Sequence, residues 1–331
     1  MSNELGELLA KIEINRVNGL LSDGVANGLT EHIQIMLDVV KKNPAPPVNF
    51  STLLTTYIDA ICYCQNHPIS FNPIHLSVRE PIDFYQSMID LFKPFIDMEN
   101  STLDQESESH LAEIESAIDR GENVILMANH QSELDPQLMS ILLEKNYADL
   151  AEKIYFVAGE RVIKDPCAIP FSLGRNLICI YSKRYISDDD IEKREHNQIV
   201  THKIAELLKQ GSKCIYVALS GGRDRKNPLT GEYEVAKPDP KSAQMFSLLA
   251  KRSGSVTHFY PLILKTYAIL PPPEKVEKKL GEKRSLGYDA IHIRIGEKID
   301  FSLLGADWEE RAENLHTILS KTYATLPKLN S

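Results

Sequence analysis

Through the first third of the chain, hydrophobic residues recur every three or four positions. Leu8, Leu9, Ile12 and Ile14 lie near helical spacing. "ANGLTEHIQIMLDVVKK" continues that rhythm, and "NPAPP" stops it. "FSTLLTTYIDAICYCQ" gives a third apolar-faced helix, closed before "NHPISFNP". Residues 1–78 therefore read as a small helical bundle whose apolar stripes are its core. Two more helices are expected over 80–97 and 103–120, and no strand alternation before about residue 120.

The rhythm then changes. Short apolar runs read as strands at 123–128, 154–158, 177–182, 213–219, 256–265 and 288–296. Helical patterns lie between most of them, at 136–146, 190–210 and 239–253, and a last amphipathic helix covers 306–325. Alternating strands and helices predict an α/β fold, a mostly parallel mixed sheet flanked by helices. The expected organisation is an N-terminal helical bundle, 1–78, followed by an α/β domain, 79–331. In such sheets ligands bind where strands end and loops begin. "PPPEKVEKKLGEKR" reads as a charged surface loop or short helix.

Composition narrows the partners. The formal net charge is −9 and the pI about 5.6, which argues against nucleic acid and leaves room for a local basic pocket. No stretch approaches the roughly 18 uninterrupted apolar residues of a membrane span. The start, "MSNELGELLAKIE", does not read as a secretory signal. Five cysteines, with Cys179 and Cys214 inside strand-like runs, suit a reducing cytoplasm. Cys62, Cys64 and His67 match no common zinc spacing, so no metal is expected.

Three polar stretches follow apparent strands. In "VILMANHQSELDPQ", His130 and Asp135 stand five positions apart. Transfer of an acyl group to an alcohol needs a base at the hydroxyl, and histidine suits that at neutral pH. A carboxylate on the other ring nitrogen fixes the tautomer and stabilises the imidazolium. The plainer alternative makes Asp135 a helix N-cap before Pro136 and His130 a loop residue. In the second stretch, Lys183 and Arg184 appear as a strand ends, where basic residues are often merely solvated. In "ALSGGRDRKNP", Arg223 and Arg225 follow a glycine pair with like-facing spacing. Guanidinium groups bind phosphate in a fork; an exposed turn is the alternative. Asp224 between them faces away or steadies a neighbour. The stretch is not a nucleotide P-loop.

"NHQSELDP" matches the His-x-x-x-x-Asp motif of glycerolipid acyltransferases. "GERVIKDPCAIPFSLGRNLICIYSKR" and "SGGRDRKNP" resemble two further motifs of the soluble, chloroplast-type glycerol-3-phosphate acyltransferases. The resemblance covers nearly the whole chain. It implies acyl transfer from acyl carrier protein, with acyl-CoA as an alternative donor, to the sn-1 hydroxyl of glycerol 3-phosphate. By motif match His130 is the base and Asp135 its partner. Arg184, Arg223 and Arg225, helped by Lys183, hold the phosphate. No cofactor is implied, no acyl-enzyme is expected without a Gly-x-Ser-x-Gly elbow, and contact with a membrane surface is at most transient. The oxyanion donors are expected among backbone N–H groups near the start of the 136–146 helix. Two departures stand out: Arg184-Tyr185 where Lys-His is familiar, and Leu219 where proline is. The competing readings are a lysophosphatidate acyltransferase and a non-catalytic helical adaptor for an acidic carrier protein.

Overall fold

Three helices come first: α1 (Ser2–Val17), α2 (Asp23–Val40) and α3 (Phe50–Asn66). The computed structural model describes residues 2–182, 186–187, 189–272 and 284–329. Leu29 and Ile33 of α2 and Leu54, Ile58 and Ile61 of α3 are completely buried, as helical spacing on one face requires. They share their core with α4 (Phe84–Phe92), with Ile169 and Leu173 of the short α7 (Ile169–Leu173), and with Leu134 and Leu138 at the start of α6 (Asp135–Lys153). The helical layer is thus packed directly on elements that flank the site described below.

The remaining helices are α5 (Gln105–Asp119), α8 (Ile191–Gln210), α9 (Pro240–Ser253) and α10 (Trp308–Thr325). The main sheet contains β1 (Ile74–His75), β2 (Thr102–Leu103), β3 (Asn123–Ala128), β4 (Ile154–Gly159), β5 (Asn176–Ile180), β6 (Cys214–Ala218), β9 (Thr257–Lys265) and β10 (His292–Ile295), while β7 (Arg225–Lys226) and β8 (Tyr233–Glu234) form a separate pair. The strand order is β1-β5-β4-β6-β3-β9-β10-β2. The five inner strands from β5 to β9 run parallel; β1 pairs antiparallel to β5 and β10 antiparallel to β9, and β2 joins β10 in parallel. Every residue of β3 is buried, as expected for a central parallel strand covered on both faces. One face is packed by α5 and α6, the other by α8, α9 and α10.

The α/β class is as the alternation predicts. Some elements differ from the expected pattern. The two-residue strands β1 and β2 lie before residue 120, where no strand was expected, because two residues carry no periodicity to read. Helix α6 also extends past 146 to Lys153, through the non-helical backbone of Tyr147 (φ −136°, ψ 35°).

The helical layer meets the sheet at Gly174 and Arg175. A Cβ on Gly174 would lie 2.6 Å from the Phe84 carbonyl oxygen, so only glycine allows this approach. The buried Arg175 guanidinium rests 4.5 Å from the Tyr85 ring centroid and donates to Ser140 Oγ at 2.5 Å. Burial lowers its pKa to about 10.

Candidate active site

The loops after β3, β6 and β9 leave the sheet at one edge, because their strands are parallel neighbours. Ala128, the last residue of β3, lies opposite Ala218, the last of β6, and opposite Leu262 of β9. The His-x-x-x-x-Asp segment therefore emerges between the Ser-Gly-Gly-Arg turn and Thr266. Gly221 makes that turn with φ +64°, a region side chains resist.

His130 Nδ1 lies 2.8 Å from Asp135 Oδ2. The His130 side chain is 29% exposed and that of Asp135 not at all. With Nδ1 engaged, Nε2 is the ring nitrogen that could act as a base. The Asp135 carboxylate accepts three further bonds: from the N–H groups of Gln131 (2.8 Å) and Ser132 (3.1 Å) and from Thr266 Oγ1 (2.6 Å). Its backbone partners precede it in the chain. It closes the loop behind it and does not cap the N–H groups of α6 ahead. Leu134 N–H bonds Ser132 Oγ and Asp135 N–H bonds the Ser132 carbonyl. Four N–H groups of the loop are thereby spent on holding its shape.

A buried scaffold lies beneath. Asn129 Nδ2 donates to Asp224 Oδ2 (2.7 Å) and to the Leu264 carbonyl (2.9 Å), and its Oδ1 accepts from Leu264 N–H. Gln131 Nε2 reaches Asp224 Oδ2 (3.2 Å) and Tyr323 Oη (2.9 Å), and its Oε1 accepts from Thr266 N–H. Asp224 also accepts from Ala236 N–H at 2.8 Å, and its own N–H donates to the His130 carbonyl. Burial raises the Asp224 pKa to about 6, against the pull of these donors. Asp224 thus faces inward between the two arginines and steadies the loop that carries His130.

Arg223 and Arg225 flank it, both partly buried, with Arg225 opening β7. Arg223 Nη1 donates to Glu133 Oε1 at 3.2 Å. Arg284 Nε donates to the other oxygen of Glu133 at 2.9 Å, and its Nη2 to Asp165 Oδ2 at 2.8 Å. Burial lowers the Arg284 pKa, but Glu133 and Asp165 outweigh that and raise it overall. Lys183 and Arg184, with Tyr185, lie outside the described residues. Among the described residues no cluster of His, Cys, Asp or Glu is arranged to hold a metal.

Sequence reasoning did not single out Glu133, Asp165, Thr266, Arg284 or Tyr323. Glu133 is an intervening position of the His-x-x-x-x-Asp motif. Arg284 was one basic residue in a charged run.

A family model described as Acyltransferase matches residues 110–265. A chloroplastic glycerol-3-phosphate acyltransferase of Arabidopsis thaliana is 39% identical over 313 residues, which are 93% of this chain and 68% of that protein. The chain belongs to the glycerol-3-phosphate acyltransferase family. A relative of the same description from Cucurbita moschata is 38% identical, over 91% of this chain and 68% of its own length. One from Pisum sativum is 36% identical, over 94% and 69%. Among solved structures, a 1-acyl-sn-glycerophosphate acyltransferase of Thermotoga maritima matches with a TM-score of 0.38 and 17% identity, covering 83% of this chain and 97% of that one. No helix of the described residues is long and apolar enough to cross a membrane.

Proposed function

We propose that the protein transfers a fatty acyl group from acyl-acyl carrier protein to the sn-1 hydroxyl of glycerol 3-phosphate, giving lysophosphatidate. The observation that carries this is the His130–Asp135 pair at 2.8 Å, on a loop whose Glu133 is held by Arg223 and Arg284. His130 Nε2 takes the hydroxyl proton as the oxygen attacks the thioester carbonyl. The tetrahedral intermediate collapses, the C–S bond breaks, and the imidazolium returns the proton to the departing thiolate. Asp135 holds the ring and stabilises its charged form. Arg223 and Arg225, with Arg184 and Lys183, bind the acceptor's phosphate and place its hydroxyl at Nε2.

The reading needs no acyl-enzyme, metal or organic cofactor, and admits acyl-CoA as a second donor. It treats residues 1–78 as a helical unit docked on an α/β unit, 79–331, and sets the reaction in a reducing aqueous compartment. The curated relatives are named chloroplastic, so a chloroplast compartment stands where the thiols alone suggested cytoplasm.

The test is to mix the purified protein with glycerol 3-phosphate and acyl carrier protein loaded with labelled fatty acid. Labelled lysophosphatidate is expected. Label appearing only when lysophosphatidate is the acceptor, or no transfer at all, would refute the reading.

A further inference from the structure

Glu133 presents both carboxylate oxygens to two different guanidinium groups. Arg223 takes Oε1 at 3.2 Å and Arg284 takes Oε2 at 2.9 Å, from positions 90 and 151 residues away in sequence. A carboxylate held this way presents guanidinium groups with the oxygen geometry a phosphate offers. We propose that Glu133 is a resident counter-ion of the acceptor's phosphate site, and that Arg284 is a further phosphate-binding residue whose place Glu133 keeps until substrate displaces it. This rests on glycerol 3-phosphate being the acceptor.

Exposure fits the exchange. The Arg223 and Arg284 side chains are 12% and 19% exposed, while that of Glu133 is 33% exposed. The cations are set in the walls and the carboxylate enters from the open side. Asp165, whose side chain is 10% exposed, holds Arg284 from behind at 2.8 Å, so Arg284 stays when Glu133 leaves. His32 of α2 also faces this group: burial lowers its pKa first, and Arg284 lowers it further. The backbone around Glu133 is fixed, because the N–H groups of Gln131 and Ser132 are bound to Asp135. The Glu133 side chain can therefore swing out without moving His130.

The consequence is selectivity. Arg223 and Arg284 with Glu133 and Asp165 sum to no net charge, so the resting site does not attract small anions through these four groups. A phosphate dianion outcompetes a single carboxylate for the two guanidinium groups. An uncharged polyol does not.

Steady-state kinetics and calorimetric titration with glycerol 3-phosphate test this, using intact Glu133→Gln, Arg284→Ala and double variants. The Glu133→Gln protein should show a several-fold lower KM for glycerol 3-phosphate and a smaller preference for it over glycerol, because the amide competes weakly. Arg284→Ala should raise KM and weaken binding about tenfold with kcat changed far less. In the Arg284→Ala background the gain from Glu133→Gln should shrink, since one of its two partners is gone. If Arg284→Ala does not fold, Glu133→Gln alone decides. A KM that rises or stays unchanged on Glu133→Gln would make Glu133 a brace and overturn the proposal. So would wild-type binding by folded Arg284→Ala. A parent protein that neither binds nor acylates glycerol 3-phosphate fails at the earlier step and sinks the acceptor assignment itself.

Discussion

Asp135 has two carboxylate oxygens and four donors around them, and that count decides what a substitution does. Asparagine in its place turns an NH₂ toward either the His130 ring and the Gln131 N–H or the Ser132 N–H and the Thr266 hydroxyl. Asp135→Asn should therefore cost roughly 1–3 kcal/mol of stability and about 10²–10⁴ in turnover; urea unfolding and acyl-transfer rates check the two parts. The plain N-cap alternative predicts little loss of stability, since asparagine caps as well as aspartate. His130→Ala should show the rate loss with a much smaller stability change, because the ring is partly exposed and Asp135 keeps three donors. Asp224 carries a pH signature. Its folded pKa is about 6, above the roughly 3.9 of an unfolded carboxylate. Its contribution is full below the unfolded value and is lost as pH rises through about 6. Asp224→Asn removes that slope, so the stability gap between parent and variant should be larger at pH 5 than at pH 7 in urea titrations. A gap that widens with pH would contradict the assignment.

At the scale of elements, Gly174 sets how closely α4 approaches the entry to β5. Gly174→Ala puts a methyl group 2.6 Å from a backbone oxygen that cannot rotate away. The two layers must part, and thermal unfolding should show a loss of roughly 1–3 kcal/mol. Long elements were legible in the sequence because their apolar period repeats several times. The strands expected at 123–128 and 154–158 lie at 123–128 and 154–159. The pair β7–β8 and the five-residue α7 offered too few repeats to read. The same limit governs the site. His130 and Asp135 were visible together because five positions and one turn separate them. Thr266 reaches Asp135 across 131 positions, which no local pattern records. Arg284 closes a run of charges that looks like solvated surface, and only the fold turns it toward Glu133.

For the whole molecule, charge is the property that reaches furthest. The chain carries −9, and an acidic carrier protein approaching it meets net repulsion unless it docks on a local basic surface. Added salt should therefore raise KM for the carrier-bound donor more than for acyl-CoA, since electrostatic docking is screened beyond roughly 10 Å at 0.1 M. A donor KM that stays flat from low to high salt would count against charged docking. Global topology also sets a timetable. The Tyr323 hydroxyl braces Gln131 from 192 positions downstream. At roughly 5–20 residues per second, a ribosome needs on the order of 10–40 s to cover that distance. A growing chain therefore carries His130 and Asp135 well before the last brace of the loop beneath them exists. On a polysome, nascent copies caught between these two points hold the His–Asp pair without the support that sets it in place.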